Sequence, residues 1–139
     1  MGVEHPLFEL CFRADPEALR MVREKVQEAL ERAGCAPKTV ADVIIAVNEA
    51  CMNIIQHAYK GDTNGKVELA IRCKGCELEV LLTDFAAPID YHEIRPRDLD
   101  DLKPGGLGTH FIQEIMDELC YGHLDGEAGN YLRMMKRIG

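Results

Sequence analysis

The sequence predicts an α+β protein, a two-layer sandwich in which one mixed, mostly antiparallel sheet is covered on one face by three helices. Three observations carry that expectation. Stretches with an apolar period of two and stretches with a period of three to four follow one another as strand, helix, helix, hairpin, irregular segment, glycine loop, helix and hairpin. That order gathers helices on one side of a sheet built from adjacent strands. The paired strands are joined through short glycine-bearing turns, which connect antiparallel neighbours. Finally, 139 residues with 47% hydrophobic content suffice for one buried core and not for two, so residues 1–139 are expected to form a single domain.

Leu7 to Arg13 alternates Phe8, Leu10 and Phe12 against Leu7, Glu9, Cys11 and Arg13, which gives a first strand. Asp15-Pro16 supplies a cap and a first-turn proline. Leu19, Val22, Val26, Ala29, Leu30 and Ala33 then mark the buried stripe of a helix that stops at Gly34. Pro37 opens a second helix through Val40, Val43, Ile44 and Val47, ending at Lys60-Gly61-Asp62 where glycine can take the left-handed turn. Past a turn-rich Gly61 to Gly65, Val67, Leu69 and Ile71 alternate with Lys66, Glu68, Ala70 and Arg72. Leu78, Val80 and Leu82 repeat the pattern beyond Lys74-Gly75, which predicts a hairpin whose second strand ends at Asp84. Phe85 to Pro104 has no sustained period and contains Pro88, Pro96 and Pro104. At that length, 85–104 is either a functional lid or a partly disordered insertion, with room for a helical turn at Asp98 to Lys103. The loop Lys103-Pro-Gly-Gly-Leu-Gly-Thr109 leads into a third helix with Phe111, Ile112, Ile115, Met116 and Leu119 on one stripe. Two strands, around Tyr121 to Leu124 and Tyr131 to Arg137, close the chain through Gly126 and Gly129.

Sixteen basic against twenty-four acidic residues give a formal charge of -8. No run of Lys or Arg could trace a nucleic-acid backbone, so nucleic acid is not an expected direct partner. The start of the chain is interrupted by Glu4, His5, Pro6 and Glu9 before any apolar run long enough for a signal peptide. No later stretch reads as a membrane span, and the expected location is the cytoplasm. Six cysteines are expected as free thiols in a reducing compartment, with Cys51 on the apolar side of a helix and Cys11 in a strand as small hydrophobes. An alternative groups Cys73-Lys-Gly-Cys76 with Cys120-Tyr-Gly-His123 as four zinc ligands. Otherwise these pairs are a hairpin turn and a helix end that happen to carry thiols.

The candidate site begins in Val47 to Gly61. Glu49, Asn53 and His57 recur at four-residue steps, which places all three on one face of an α-helix, with Val43, Ile44, Val47, Ile54 and Ile55 on the other. Such a front is either a solvated face or a site. A carboxylate one turn from an amide oxygen suits a hard cation and an attacking hydroxyl, because the cation takes oxygen ligands and the hydroxyl needs a proton acceptor. Asp84 emerges at the end of an apolar strand, where a side chain can be aimed into a pocket. The segment Gly105-Gly106-Leu107-Gly108-Thr109 before a helix is either a plain glycine turn or, with bare backbone N–H groups and the positive end of a helix dipole, a grip for phosphate. Neither a Walker-type nor a Rossmann glycine motif is present, and the chain contains no serine for a triad.

Three blocks in this order, Glu49-x-x-x-Asn53-x-x-x-His57-Ala58-Tyr59, Asp84-x-x-x-Pro88-x-Asp90 and Gly105-Gly106-Leu107-Gly108, resemble the motifs of the histidine-kinase-like ATPase superfamily. Within it the chain is similar to the anti-sigma factor serine-protein kinase family over nearly its whole length. The resemblance implies the histidine-kinase-like ATPase fold, with ATP and magnesium as cofactors. It implies that Glu49 acts as general base, that Asn53 coordinates the magnesium, and that Asp84 hydrogen-bonds the adenine amino group with Ala86 beside it. Gly105, Gly106, Leu107, Gly108 and Thr109 are expected to wrap the phosphates, with added charge from Lys103, Arg95 or Arg97. His57 is expected to pack or hydrogen-bond near the helix end rather than act as ligand or base. The implied activity is phosphoryl transfer to a serine or threonine of an anti-anti-sigma factor, with a sigma factor as second partner and a homodimer as the assembly. The alternative is a module that sequesters a partner and uses ATP to set its shape, with little kinase turnover. One position departs from the family. Where the pattern has Asp-x-Gly, this chain has Asp84-Phe85-Ala86, whose methyl crowds the adenine edge and would be strained at a positive φ.

Overall fold

The computed structural model describes residues 7–86, 112, 114–124 and 129–138. Its strands are β1 (Phe8–Arg13), β2 (Lys66–Lys74), β3 (Glu77–Asp84), β4 (Glu118–His123) and β5 (Asn130–Arg137). They form one sheet in the order β1-β2-β3-β5-β4, and each of the described pairings is antiparallel. Two helices, α1 (Leu19–Arg32) and α2 (Pro37–Asn53), belong to the layer above it.

The core lies between the layers. Leu30 and Val43 from the helices are fully buried, as are Leu69 and Ile71 of β2, Leu78, Val80 and Leu82 of β3, and Met134 of β5. Ile112 and Met116 join the same cluster. Each such side chain stabilises the fold by about 1.5–3 kcal/mol relative to exposure, so the period-two and period-3.6 stripes fix which face of every element turns inward. The parity of β1 puts Phe8, Leu10 and Phe12 inward and leaves Glu9, Cys11 and Arg13 on the open face. Cys11 is therefore exposed, contrary to its expected place as a small hydrophobe, whereas Cys51 is buried as expected.

Three elements differ from their expected form. A 3-10 turn, Pro16–Ala18, precedes α1, with Asp15 accepting from the Glu17 N–H at 3.0 Å. The second helix does not stay α-helical to Lys60: it changes to a π-turn at Ile54–Ala58. There the Tyr59 N–H reaches Ile54 O and the Gly61 N–H reaches Ile55 O, both at 3.1 Å. Lys60 (φ 52°) and Gly61 (φ 91°) then end it in left-handed geometry, as the Lys-Gly-Asp ending predicts. The apolar stripe predicts a third helix through Leu119, but Leu119 lies in β4, paired with Met134 of β5. Leu119, Tyr121 and His123 also have period two, and pairing with β5 satisfies the backbone there. The lid at 85–104, beyond Phe85 and Ala86, and the glycine loop with Thr109 lie outside the described residues.

The run Pro37–Ala58 is long and apolar enough by composition to cross a membrane, although no such stretch was expected. Here half of that window is buried inside the protein, because Val43, Ala46, Val47 and Ala50 pack in the core. A helix buried against a sheet needs apolar residues over a wide arc, which is what composition alone registers.

Candidate functional site

The inward stripe of α2 leads to the site. Ala46 and Ala50 are buried on one stripe of the helix, and Asn53 continues that stripe one turn on. Asn53 is consequently buried and lines a cleft together with Ala50, Ile54, Asp84, Tyr121 and Asn130. The enclosed part of this cleft measures about 30 Å³, the room of roughly one water molecule. The described residues by themselves leave no room there for a whole ligand. Glu49 and His57 are half-buried and, among the described residues, do not line this floor. The expected common front thus divides: Asn53 turns toward the strands, while Glu49 stays one helical turn behind it.

Asp84 owes its place to strand register. A single row crosses the sheet through Phe12, Val67, Asp84, Asn130 and His123, each the direct cross-strand partner of the next. Its inward parity makes the row apolar at β1 and β2 and polar at β3, β5 and β4. Asp84 and Asn130 are each only 2% exposed, so their polar atoms must be satisfied internally. The Asn130 amide donates to Asp84 Oδ1 at 2.9 Å, and the Ala86 backbone N–H donates to the same oxygen at 3.1 Å. Asn130 Oδ1 lies 2.9 Å from His123 Nδ1. Burial pushes the Asp84 carboxyl above the usual carboxylate range, and the bonds from Asn130 and Ala86 pull it part of the way back.

Ala86 sits in this arrangement without backbone strain. Among the described residues, Lys60 is the non-glycine residue at positive φ. The departure from Asp-x-Gly therefore adds a buried methyl beside Asp84 without the conformational penalty a left-handed alanine carries.

Two further contacts hold the end of β3. The Tyr59 hydroxyl donates to Lys66 O at 2.6 Å and accepts from the Phe85 N–H at 2.8 Å, tying the π-turn to the residue after Asp84. Gly65 lies under the Tyr59 ring with no room for a Cβ. At the opposite side Gly129 (φ 147°) passes so close to the Asp84 carbonyl that a Cβ would stand 2.7 Å from that oxygen. Glycine is required there on both counts.

The two cysteine pairs are not brought together. Cys73 and Cys76 flank the β2-β3 turn, whereas Cys120 and His123 lie on β4 at the far edge of the sheet. Among the described residues no group of three or more His, Cys, Asp or Glu side chains could hold a metal. Burial raises the Cys51 thiol to about 12. A larger concavity of about 420 Å³ occupies the open face of the sheet between β1, β2 and β3, lined by Glu9, Cys11, Glu68, Arg72 and Thr83 among others. It lacks a buried acceptor of the kind Asp84 supplies.

Of the expected site residues, the structure unites Asn53 with Asp84 and Ala86. Gly105, Gly106, Leu107, Gly108, Thr109, Lys103, Arg95 and Arg97 lie outside the described residues. Sequence reasoning missed Asn130, read His123 only as a possible zinc ligand, and gave Tyr59 no role although it lies in the first motif block. A signal existed for the first two: a polar residue on the inward parity of an otherwise apolar strand, with Leu132 and Met134 following Asn130.

The model of the histidine kinase-like ATPase domain matches residues 12–136. The chain is 33% identical to the serine-protein kinase RsbW of Bacillus subtilis over 120 residues, covering 80% of this chain and 74% of that one. It is 34% identical to the serine-protein kinase RsbW of Bacillus pumilus over 124 residues, covering 81% and 76%. Among solved structures, the RsbU and RsbW domains of a Mycobacterium tuberculosis protein superpose with a TM-score of 0.64 at 20% identity, covering 94% of this chain and 32% of that chain. The SiaB-SiaC complex of Pseudomonas aeruginosa gives 0.63 at 16% identity, covering 91% and 88%. At those identities the structural likeness concerns the fold.

Proposed function

The chain belongs to the histidine kinase-like ATPase family, and we propose that it is an ATP-dependent serine-protein kinase and anti-sigma factor. In this reading it phosphorylates a protein on serine or threonine, as the serine-protein kinases it is similar to are named for; a sigma factor and an anti-anti-sigma protein are the partners that its motif blocks imply. The meeting of Asn53 and Asp84 on one cleft floor supports the assignment: a buried amide residue from a helix and a buried carboxylate residue from a strand end, far apart in sequence, line the same space.

The residues fit the nucleotide. An ionised Asp84 is an acceptor only, matched to the exocyclic amino group of adenine. Asn53 offers a hard oxygen donor, the type that magnesium takes. Magnesium, when bound, would neutralise the charge of the triphosphate. The backbone amides of Gly105, Gly106, Leu107, Gly108 and Thr109 would hold the phosphates, assisted by Lys103, Arg95 or Arg97. Glu49, one turn before Asn53, takes the proton of the attacking hydroxyl. His57, half-buried in the π-turn, has no step assigned to it. We assign the protein to the cytoplasm and to a homodimer.

The test measures two quantities on the full chain: ATP binding by calorimetry with magnesium, and phosphate transfer from labelled ATP to an anti-anti-sigma protein. Glu49→Ala is expected to retain binding and lose transfer by at least about 100-fold, the usual scale of general-base catalysis. A variant that keeps both would remove Glu49 from its role. A second reading is favoured by the buried methyl of Ala86: nucleotide sets the shape of a sequestering module with little turnover. Wild-type protein that binds ATP but transfers no phosphate to any antagonist supports that one.

A further inference from the structure

We propose that Asn130 and His123 are positioning residues for base recognition: Asn130 fixes the rotation of the Asp84 carboxylate, and His123 fixes the direction of the Asn130 amide. This inference rests on the nucleotide reading of the cleft and extends it to residues outside the three motif blocks.

The geometry is determined by donor and acceptor chemistry. An amide's oxygen and nitrogen have nearly the same shape, so its direction follows from its partners. A carboxylate can only accept, so the Asn130 atom 2.9 Å from Asp84 Oδ1 is the nitrogen. Asn130 Oδ1 then faces His123 Nδ1 at 2.9 Å, and this contact is a hydrogen bond only when Nδ1 carries the proton. The chain of donors therefore runs one way, from the imidazole through the amide to the carboxylate.

Its consequence falls on Asp84. Among the described residues both donors recorded for the carboxylate, from Asn130 and from Ala86, converge on Oδ1. Oδ2 is then the oxygen presented to a ligand, in a fixed plane and as an acceptor. Such an oxygen takes a 6-amino purine and repels a 6-oxo purine, whose oxygen is itself an acceptor. Strand register enforces the alignment, because Asp84, Asn130 and His123 are cross-strand neighbours in one row.

The probes are ATP and inosine triphosphate (ITP), which differ at position 6 of the purine, titrated with magnesium into the full chain by calorimetry. Wild type is expected to favour ATP. Asn130→Ala should lower the ATP-to-ITP affinity ratio about tenfold, the scale of a hydrogen bond to a charged group, with ITP affinity little changed. His123→Ala, at an exposed position that tolerates truncation, should lower the ratio about threefold, and His123→Gln, which can still donate to the amide, should restore part of it. Asn130→Asp is nearly isosteric but sets a second carboxylate against Asp84, so it should bind ATP more weakly than Asn130→Ala. A purely steric role predicts the reverse order. A wild type that binds ATP, with the ratio unchanged in both Asn130→Ala and His123→Ala, overturns the positioning roles alone. Equal losses of ATP and ITP overturn them too, in favour of a folding role. A wild type that binds neither triphosphate overturns the nucleotide reading together with this one.

Discussion

Replacing Asp84 by asparagine separates what the carboxylate does for the fold from what it does for a ligand. The substituted side chain keeps the shape but has one oxygen and one amino group. With its oxygen inward it still accepts from the Asn130 amide and the Ala86 N–H, the two bonds now made to Oδ1. With its amino group inward it faces two donors, each left unsatisfied at about 1–3 kcal/mol. The first orientation therefore prevails and turns a donor toward the cleft. On the proposed reading a hydrogen bond from adenine to a charged acceptor, worth about 1.5–3 kcal/mol, would be lost, so ATP affinity should fall by about 10- to 150-fold. Inosine triphosphate, with an acceptor at position 6, should be bound no worse and the preference should narrow or invert.

Stability should move the other way. Burial raises the Asp84 carboxyl in the folded state, and a raised folded value means that its contribution to stability is fully present below the unfolded value, near 3.9. That contribution is lost as pH rises through the folded value. At neutral pH the ionised Asp84 thus weakens the ligand-free fold, and Asp84→Asn should melt higher than wild type, with the gap closing as pH falls. Differential scanning fluorimetry without nucleotide across that range, beside calorimetry with ATP and ITP, measures both effects. Parallel losses for ATP and ITP, or an Asp84→Asn variant that melts lower than wild type at neutral pH, refute the reasoning.

Further perturbations test the supports of the site. Gly129→Ala forces a Cβ against the Asp84 carbonyl at a φ of 147°, and should destabilise by about 1–3 kcal/mol in urea titration while weakening ATP binding. Tyr59→Phe removes the hydroxyl that joins Lys66 O to the Phe85 N–H; a loss of about 1–2 kcal/mol is expected, with a higher KM for ATP at nearly constant kcat. Thiol labelling of the native protein should modify the exposed Cys11, Cys73, Cys76 and Cys120 quickly. It should spare Cys51, whose thiol stays protonated up to about pH 12, until the protein unfolds; native labelling of Cys51 at the rate of Cys73 contradicts its burial.

Periodicity in the sequence determined most of the architecture, because each apolar stripe has one way to leave water. The stripes of α1 as far as Leu30, with Ala33 exposed instead of buried, and of β1, β2 and β3 lie where their spacing put them, and the Asn53 and Asp84 positions were legible from motif spacing. Periodicity failed where two periods share the same residues, as at Leu119, and where backbone geometry changes without changing composition, as in the π-turn at Ile54–Ala58. What the tertiary structure alone decided is which side chains meet. Asn53 is turned inward because it continues the buried stripe of Ala46 and Ala50 on α2. His123, Asn130 and Asp84 become one hydrogen-bonded row because β5 inserts between β3 and β4 in a particular register. Register is a relation between segments distant in the chain, and no local pattern around Asp84 encodes it.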